Sequence, residues 1–228
     1  MMKRNLTIIT LSILCLLSCI SPSAWAVSGP VYAVGSNTYG QLGFIPPGRL
    51  PVPASISGVV KIAACSSHSL AVKSDGTVWA WGNNTYGQLG DGTTTDSWMP
   101  VQVLNLAGVV GITAGMSHSL AVKTDGTLWT WGDNFFGQLG NGTTTYLCTP
   151  VQISNLAGVV EVATGIEHCL VVKTDGTVWA WGGNYYKQLG DGTTTDRWTP
   201  VQVQNLTGVE GIAAGACHNL AVKTDGTV

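Results

Sequence analysis

The sequence predicts an all-β protein made of repeated units, each carrying several short antiparallel strands. Three observations carry that reading. The four histidines, His68, His118, His168 and His218, are spaced by 50 residues, and Asp75-Gly76, Asp125-Gly126, Asp175-Gly176 and Asp225-Gly226 keep the same spacing. Around each Asp-Gly, apolar residues alternate with small or polar ones, the period of a strand with one face buried. Past residue 26, no stretch places apolar residues at helical spacing.

In chain order, the first segment is a targeting signal that must be set aside before the fold is read. Met1, Met2, Lys3 and Arg4 form a short positive start, residues 6–20 are an apolar run, and Ala24-Trp25-Ala26 supplies small residues around a cleavage point. That is the pattern of a secretory signal, so residues 1–26 are expected to be removed, leaving 27–228 as the repeat array in a secreted or periplasmic protein. The run is shorter than the ~20 residues a membrane-spanning helix needs, and no later stretch replaces it. A rival reading makes Cys19 a lipid-bearing first residue, but Leu17 fits that motif poorly. Beyond the signal stand eight Lys/Arg and twelve Asp/Glu, with no basic cluster. A surface for phosphates needs clustered cations, so nucleic acid is not an expected partner.

The unit itself is clearest in the middle of the chain. Residues 109–114 read as a strand; residues 120–123 begin a hairpin turned by Thr124-Asp125-Gly126; Leu128-Trp129-Thr130-Trp131 resume it, and residues 150–153 add a further strand. Asp-Gly tolerates the positive φ of a tight turn between twisted strands. Between the last two strands lie an Asn-aromatic-Gly-Gln-Leu-Gly loop and a Thr-Thr-Thr run. About four strands in ~50 residues match the blade of a β-propeller.

The segments His118-Ser119-Leu120-Ala121-Val122, Asp125-Gly126, Trp129-x-Trp131-Gly132 and Asn134-x-x-Gly137-Gln138-Leu139-Gly140 together resemble the repeat of the regulator of chromosome condensation family, across residues 31–228. Kelch repeats need a paired-glycine signature that is missing here, and Trp-Asp repeats have a shorter period. The resemblance implies a propeller of four-stranded blades, of which family members usually have seven. Here the units run roughly 31–78, 79–128, 129–178 and 179–228. Val31-Tyr32-Ala33-Val34-Gly35 is the counterpart of Val78-Trp79-Ala80-Trp81-Gly82, and Thr227-Val228 stands just before that strand would recur. The N-terminal strand is therefore able to complete the last blade and cover its edge. Three arrangements stay open: a small closed ring, an open arc that pairs with another copy, or part of a larger propeller.

Few residues invite chemistry. One histidine per unit suggests a metal on a common axis, but recurrence in every unit is what a structural role predicts, each imidazole bonding loop backbone of its own blade. Asp91 and Asp96, with their copies Asp191 and Asp196, invite a cation, yet Asn141 and Tyr146 replace both in the middle unit, leaving turn-making as their role. Glu167 beside His168 is a weak pair, because neighbours on a strand point to opposite faces. Cys65, Cys148, Cys169 and Cys217 show no metal spacing and allow three disulfide pairings, and Cys169 reads as an incidental small residue in a Ser/Asn column. No nucleophile motif, phosphate loop or paired carboxylates appear. Neither catalysis nor a cofactor or metal is expected. The family's nucleotide exchange on a nuclear GTPase does not carry over to a protein with a secretory signal.

The columns that differ between repeats are the more informative ones. Trp79, Trp81, Trp129, Trp131, Trp179 and Trp181 recur and suit packing, as do Tyr39, Tyr86, Phe136 and Tyr186. Thr38, Thr85, Phe135 and Tyr185 diverge, as does the column of Trp98, Cys148 and Trp198, and Lys187 breaks a column of Gly40, Gly87 and Gly137. One asymmetric partner constrains each blade differently, so Thr38, Thr85, Phe135, Tyr185, Trp98, Trp198 and Lys187 are the expected partner-binding residues. The expected function is recognition of a secreted or cell-surface protein by the loop face, with self-association through open blade edges as a further route. The chain also resembles, distantly, the propeller-type β-lactamase inhibitory proteins, from which only the mode of binding carries over. The alternative is a carbohydrate-binding module on surface glycan; a propeller-scaffold lyase ranks third.

Overall fold

The structure, a computed structural model, describes residues 30–43 and 52–228. The expected signal at 1–26, with Cys19 and the residues that follow to 29, lies outside the described residues. Within them there are sixteen strands and no helix: β1 (Tyr32–Ala33), β2 (Val52–Pro53), β3 (Val59–Cys65), β4 (His68–Lys73), β5 (Val78–Gly82), β6 (Ser97–Gln102), β7 (Val109–Ala114), β8 (His118–Lys123), β9 (Leu128–Gly132), β10 (Leu147–Gln152), β11 (Val159–Thr164), β12 (His168–Lys173), β13 (Val178–Gly182), β14 (Arg197–Gln202), β15 (Val209–Ala214) and β16 (Asn219–Lys223).

Three four-stranded antiparallel sheets follow in sequence order, β3 to β6, β7 to β10 and β11 to β14, flanked by the two-stranded pairs β1–β2 and β15–β16. Each blade therefore takes its first two strands from one sequence unit and its last two from the next. Register repeats between blades, with Leu70 opposite Ala80, Leu120 opposite Thr130 and Leu170 opposite Ala180. The turn at the centre explains this constancy. Asp75 Oδ1 accepts hydrogen bonds from Thr77 N at 2.9 Å and Thr77 Oγ1 at 2.6 Å, while Gly76 takes φ +77°, where an L side chain is strained. Those Thr77 bonds hold the Asp75 carboxyl below its ordinary pKa, and Asp125, Asp175 and Asp225 repeat the arrangement.

The apolar core lies between blades. Leu70, Val78, Leu89 and Val103 of one blade pack with Val109, Ala121 and Trp131 of the next. Leu120, Leu128 and Ile153 meet Val159, Val171 and Trp181 in the same way. Each inner indole is buried, and burying one contributes on the order of 5 kcal/mol before ordering entropy is charged against it. Trp81 does this at the first interface, against Val59 and Ala71 with Val31 and Ile56 beside it. The outer tryptophans, Trp79, Trp129 and Trp179, are half-buried beneath Lys73, Lys123 and Lys173. Of the three arrangements open in the sequence, the described residues form an open succession of blades: β1–β2 and β15–β16 stay separate sheets.

Candidate functional site

The loop face is built on one buried asparagine per blade. Asn134 Oδ1 accepts from Leu139 N at 2.9 Å, and its Nδ2 donates to Thr143 O, Thr143 Oγ1 and Thr145 O at 2.9–3.1 Å. Asn84 and Asn184 hold the same partners in their own blades. A glutamine then fixes the aromatic position, since Gln138 Oε1 accepts from Phe136 N, as Gln41, Gln88 and Gln188 accept from Tyr39, Tyr86 and Tyr186 N. These loops are rigid mounts for their side chains.

The divergent residues sit on those mounts. Phe135 is 75% exposed and Tyr185 78%, each in an edge-to-face pair with its neighbour, at 5.0 Å to Phe136 and 4.9 Å to Tyr186. Thr38 and Thr85, at the same position in their loops, are exposed. The expectation that Tyr39, Tyr86, Phe136 and Tyr186 serve packing meets a graded outcome: Phe136 is half-buried, Tyr39 and Tyr86 keep 43% of their surface in solvent, and Tyr186, 65% exposed, is corrected to a surface residue whose ring meets Tyr185. Tyr86 pairs instead with Tyr146 at 6.4 Å.

The Trp98 and Lys187 columns turn out to be two sides of one contact. Trp98, Cys148 and Trp198 lie on the Gly40, Gly87 and Gly137 of the preceding loop, where a Cβ would come within 2.5–2.7 Å of the facing Cα. Those glycines have φ from +77° to +82°, and Lys187 holds φ +64° with a side chain. Both indoles keep an exposed edge, 40% for Trp98 and 51% for Trp198.

The acids of this face are tied into the loops. Asp191 is held down to about 2: burial opposes the charge, but hydrogen bonds from Thr193, Arg197 Nε at 2.6 Å and Asn184 outweigh it. Asp96 and Asp196 accept from the Asn84 and Asn184 backbone N–H groups. Burial, then the charges of Asp133 and Asp196, push the Glu167 carboxyl up. Glu167 faces those acids while the buried His168 ring bonds Asn219, so the two do not act as a pair. Among the described residues no group of His, Cys, Asp or Glu is arranged to hold a metal ion.

The histidines are structural, but not in the way expected. His68 Nε2 lies 2.9 Å from Ser119 Oγ, His118 Nε2 3.2 Å from Cys169 Sγ and His168 Nε2 2.8 Å from Asn219 Oδ1, each partner belonging to the following blade. Each partner in turn bonds the loop carbonyl of Gln88, Gln138 or Gln188, to which Trp131 and Trp181 donate their indole N–H in the first two cases. Cys169 is therefore a working member of an inter-blade relay rather than incidental. Cys148, Cys169 and Cys217 are free thiols.

Residues 14–228 match a family model described as the RCC1-like domain. The chain belongs to the RCC1-like domain family. Among solved structures, this RCC1-like domain is similar to human WBSCR16, with 28% identity over 86% of this chain and 55% of that one, at a TM-score of 0.78. It is also similar to yeast RCC1 (Prp20) in its complex with Kap60, with 23% identity over 85% of this chain and 49% of that one, at 0.76. A second structure of Prp20p from Saccharomyces cerevisiae gives 22%, 85%, 51% and 0.73. The chain spans about half the length of these structures. No curated protein sequence matches it.

Proposed function

We propose that this RCC1-like domain is a secreted, non-enzymatic recognition module that binds a protein partner through its loop face. The observation that carries the reading is the pair Phe135 and Tyr185, large rings three-quarters exposed on loops whose backbone is fixed by buried asparagines. Rigid, exposed aromatics supply binding area at low entropic cost. Trp98, Trp198 and Lys187 extend the surface, and Thr38 and Thr85 hold its less apolar end. Presentation of loop aromatics to a protein is the mode of the propeller-type β-lactamase inhibitory proteins, which the sequence distantly resembles. Yeast RCC1 is itself a protein seen bound to another, Kap60. The leader-like residues 1–26 support a secreted or periplasmic setting.

The test is capture from the secreted fraction with a photo-crosslinking residue at 135 or 185, followed by affinity measurement for the captured protein. Phe135→Ala with Tyr185→Ala should weaken that affinity at least about tenfold while the melting temperature holds. Unchanged affinity would move the site elsewhere. Binding on a glycan array with no captured protein would favour the carbohydrate reading, in which the same rings stack on sugars.

A further inference from the structure

One junction of the loop face carries charge that the fold does not require. Asp133 of the second blade stands beside Glu167 and Asp196 of the third, near enough that both hold the Glu167 carboxyl up. The same three positions one blade earlier are Asn83, Ser117 and Tyr146, so the architecture is built there without a carboxylate. Gly183 takes the place of Asn83 and Asp133 in its column, and Glu167 Oε2 lies 3.5 Å from where a Cβ at 183 would be. All three acids are half-buried, which shields their charges from screening by salt.

No cation matches them. Asp133 accepts from Phe135 N at 3.2 Å and Gln138 Nε2 at 2.9 Å, and Asp196 from Asn184 N at 2.8 Å. Arg197 is held by Asp191 at 2.6 Å, and among the described residues Lys187, the other cation of these loops, makes no ion pair. On the opposite face each turn sets a lysine two residues before its aspartate, as Lys173 lies 3.8 Å from Asp175. The unmatched acids also stand at the foot of the exposed rings: Asp133 holds the backbone of Phe135, and Asp196 that of the residue before Tyr185.

We propose that the protein partner of this face inserts a basic side chain, arginine above lysine, between Asp133, Glu167 and Asp196, while apolar neighbours of that side chain lie on Phe135 and Tyr185. This rests on the reading of the loop face as a protein-binding surface and adds the chemistry of what it takes. A guanidinium offers five donors in a planar fork, which suits carboxylates on two blades, whereas an ammonium is a point charge. Its arrival relieves the repulsion among the acids, and complementary charge fixes the register of docking that exposed rings alone leave loose.

The probe is the tripeptide acetyl-Leu-Arg-Leu-amide, titrated into the whole chain and followed by backbone amide NMR shifts. Its control is the citrulline analogue, which keeps the shape and loses the charge. Saturable shifts at Asp133, Glu167, Gly183 and Asp196 are expected with the arginine peptide, and binding at least about tenfold weaker with the citrulline one. Glu167→Ser with Asp133→Asn, the residues that the earlier blade uses, should lose the same factor while the melting temperature holds, since Asn83 already accepts from Gln88 in its own loop. No shift at these residues, equal binding of the two peptides, or an affinity unchanged in that double variant overturns the proposal. A captured protein that needs Phe135 and Tyr185 but is indifferent to Glu167→Ser with Asp133→Asn overturns it too and leaves the loop-face reading standing. One indifferent to both pairs overturns that reading as well.

Discussion

Asn219 reveals the direction of the histidine relay. Its Nδ2 donates to the Gln188 carbonyl, leaving Oδ1, which only accepts, facing His168 Nε2. His168 therefore carries its proton on Nε2, and the same geometry at His68 and His118 sets the same tautomer, with each Nδ1 buried and unpaired. Burial lowers the pKa of His68 to about 4 and, with the neighbouring histidines, that of His118 to about 3. Unfolded histidine titrates near 6.5, so between that value and 4 the unfolded chain holds more protons and stability falls as pH drops. Urea unfolding at pH 7 and pH 5 should differ by about 2 kcal/mol for each such histidine. A flat profile would mean the rings are already solvated. The turn aspartates add their loss at lower pH, below the unfolded carboxyl value, because their folded pKa values are depressed. The recurrence of the histidines was legible in the sequence and their partners were not: each partner lies 51 residues on, in a column that reads Ser, Cys and Asn, and only the shared ability to reach a carbonyl unites those three.

At the scale of the element, strands and turns were readable because their chemistry is local: Asp-Gly needs only Thr two residues on to make its turn. The loops were readable as loops, but the buried asparagine at the centre of each looked like turn punctuation. Most of the partners of Asn134, the Leu139 N–H and the Thr143 and Thr145 carbonyls, are backbone atoms, which leave no mark on the sequence. Replacing Asn134 by Ala leaves the buried Leu139 N–H without its acceptor and takes the donor from the Thr143 and Thr145 carbonyls, and should cost about 2 kcal/mol in denaturant unfolding. Truncating Phe135 and Tyr185 on the same mounts should change stability by no more than about 0.5 kcal/mol in the same assay. A large loss there would show the rings to be packing. The divergence between repeats pointed to these two rings, whereas the exposure of Tyr186 was hidden by the constancy of its column.

Across the whole molecule, strong contacts run only from each blade to the next. The shared cores join β4 to β7 and β8 to β11, and nothing among the described strands joins the first blade to the last. Stability in such an array is a sum of unit and neighbour terms, and the unit with one neighbour is the weakest. Amide hydrogen exchange should therefore be slower along β8, paired on both sides in a blade with a neighbour on each face, than along β10 at the rim of the same blade. Equal protection of the two would mean that the β10 edge is covered in solution. The period that made the architecture legible says nothing about closure, because a repeat looks the same in a ring and in an arc.

The carbonyls of Gln88 and Gln138, each taking two hydrogen bonds from the blade that follows, also bear on mechanics. They are rivets between plates that otherwise share an apolar core and a single thread of chain. Pulled from its two termini, the molecule has no sheet spanning its length to share the load, so rivets fail one at a time. Each failure frees one 50-residue period, roughly 18 nm of chain at full extension. Single-molecule stretching should show a sawtooth of that spacing.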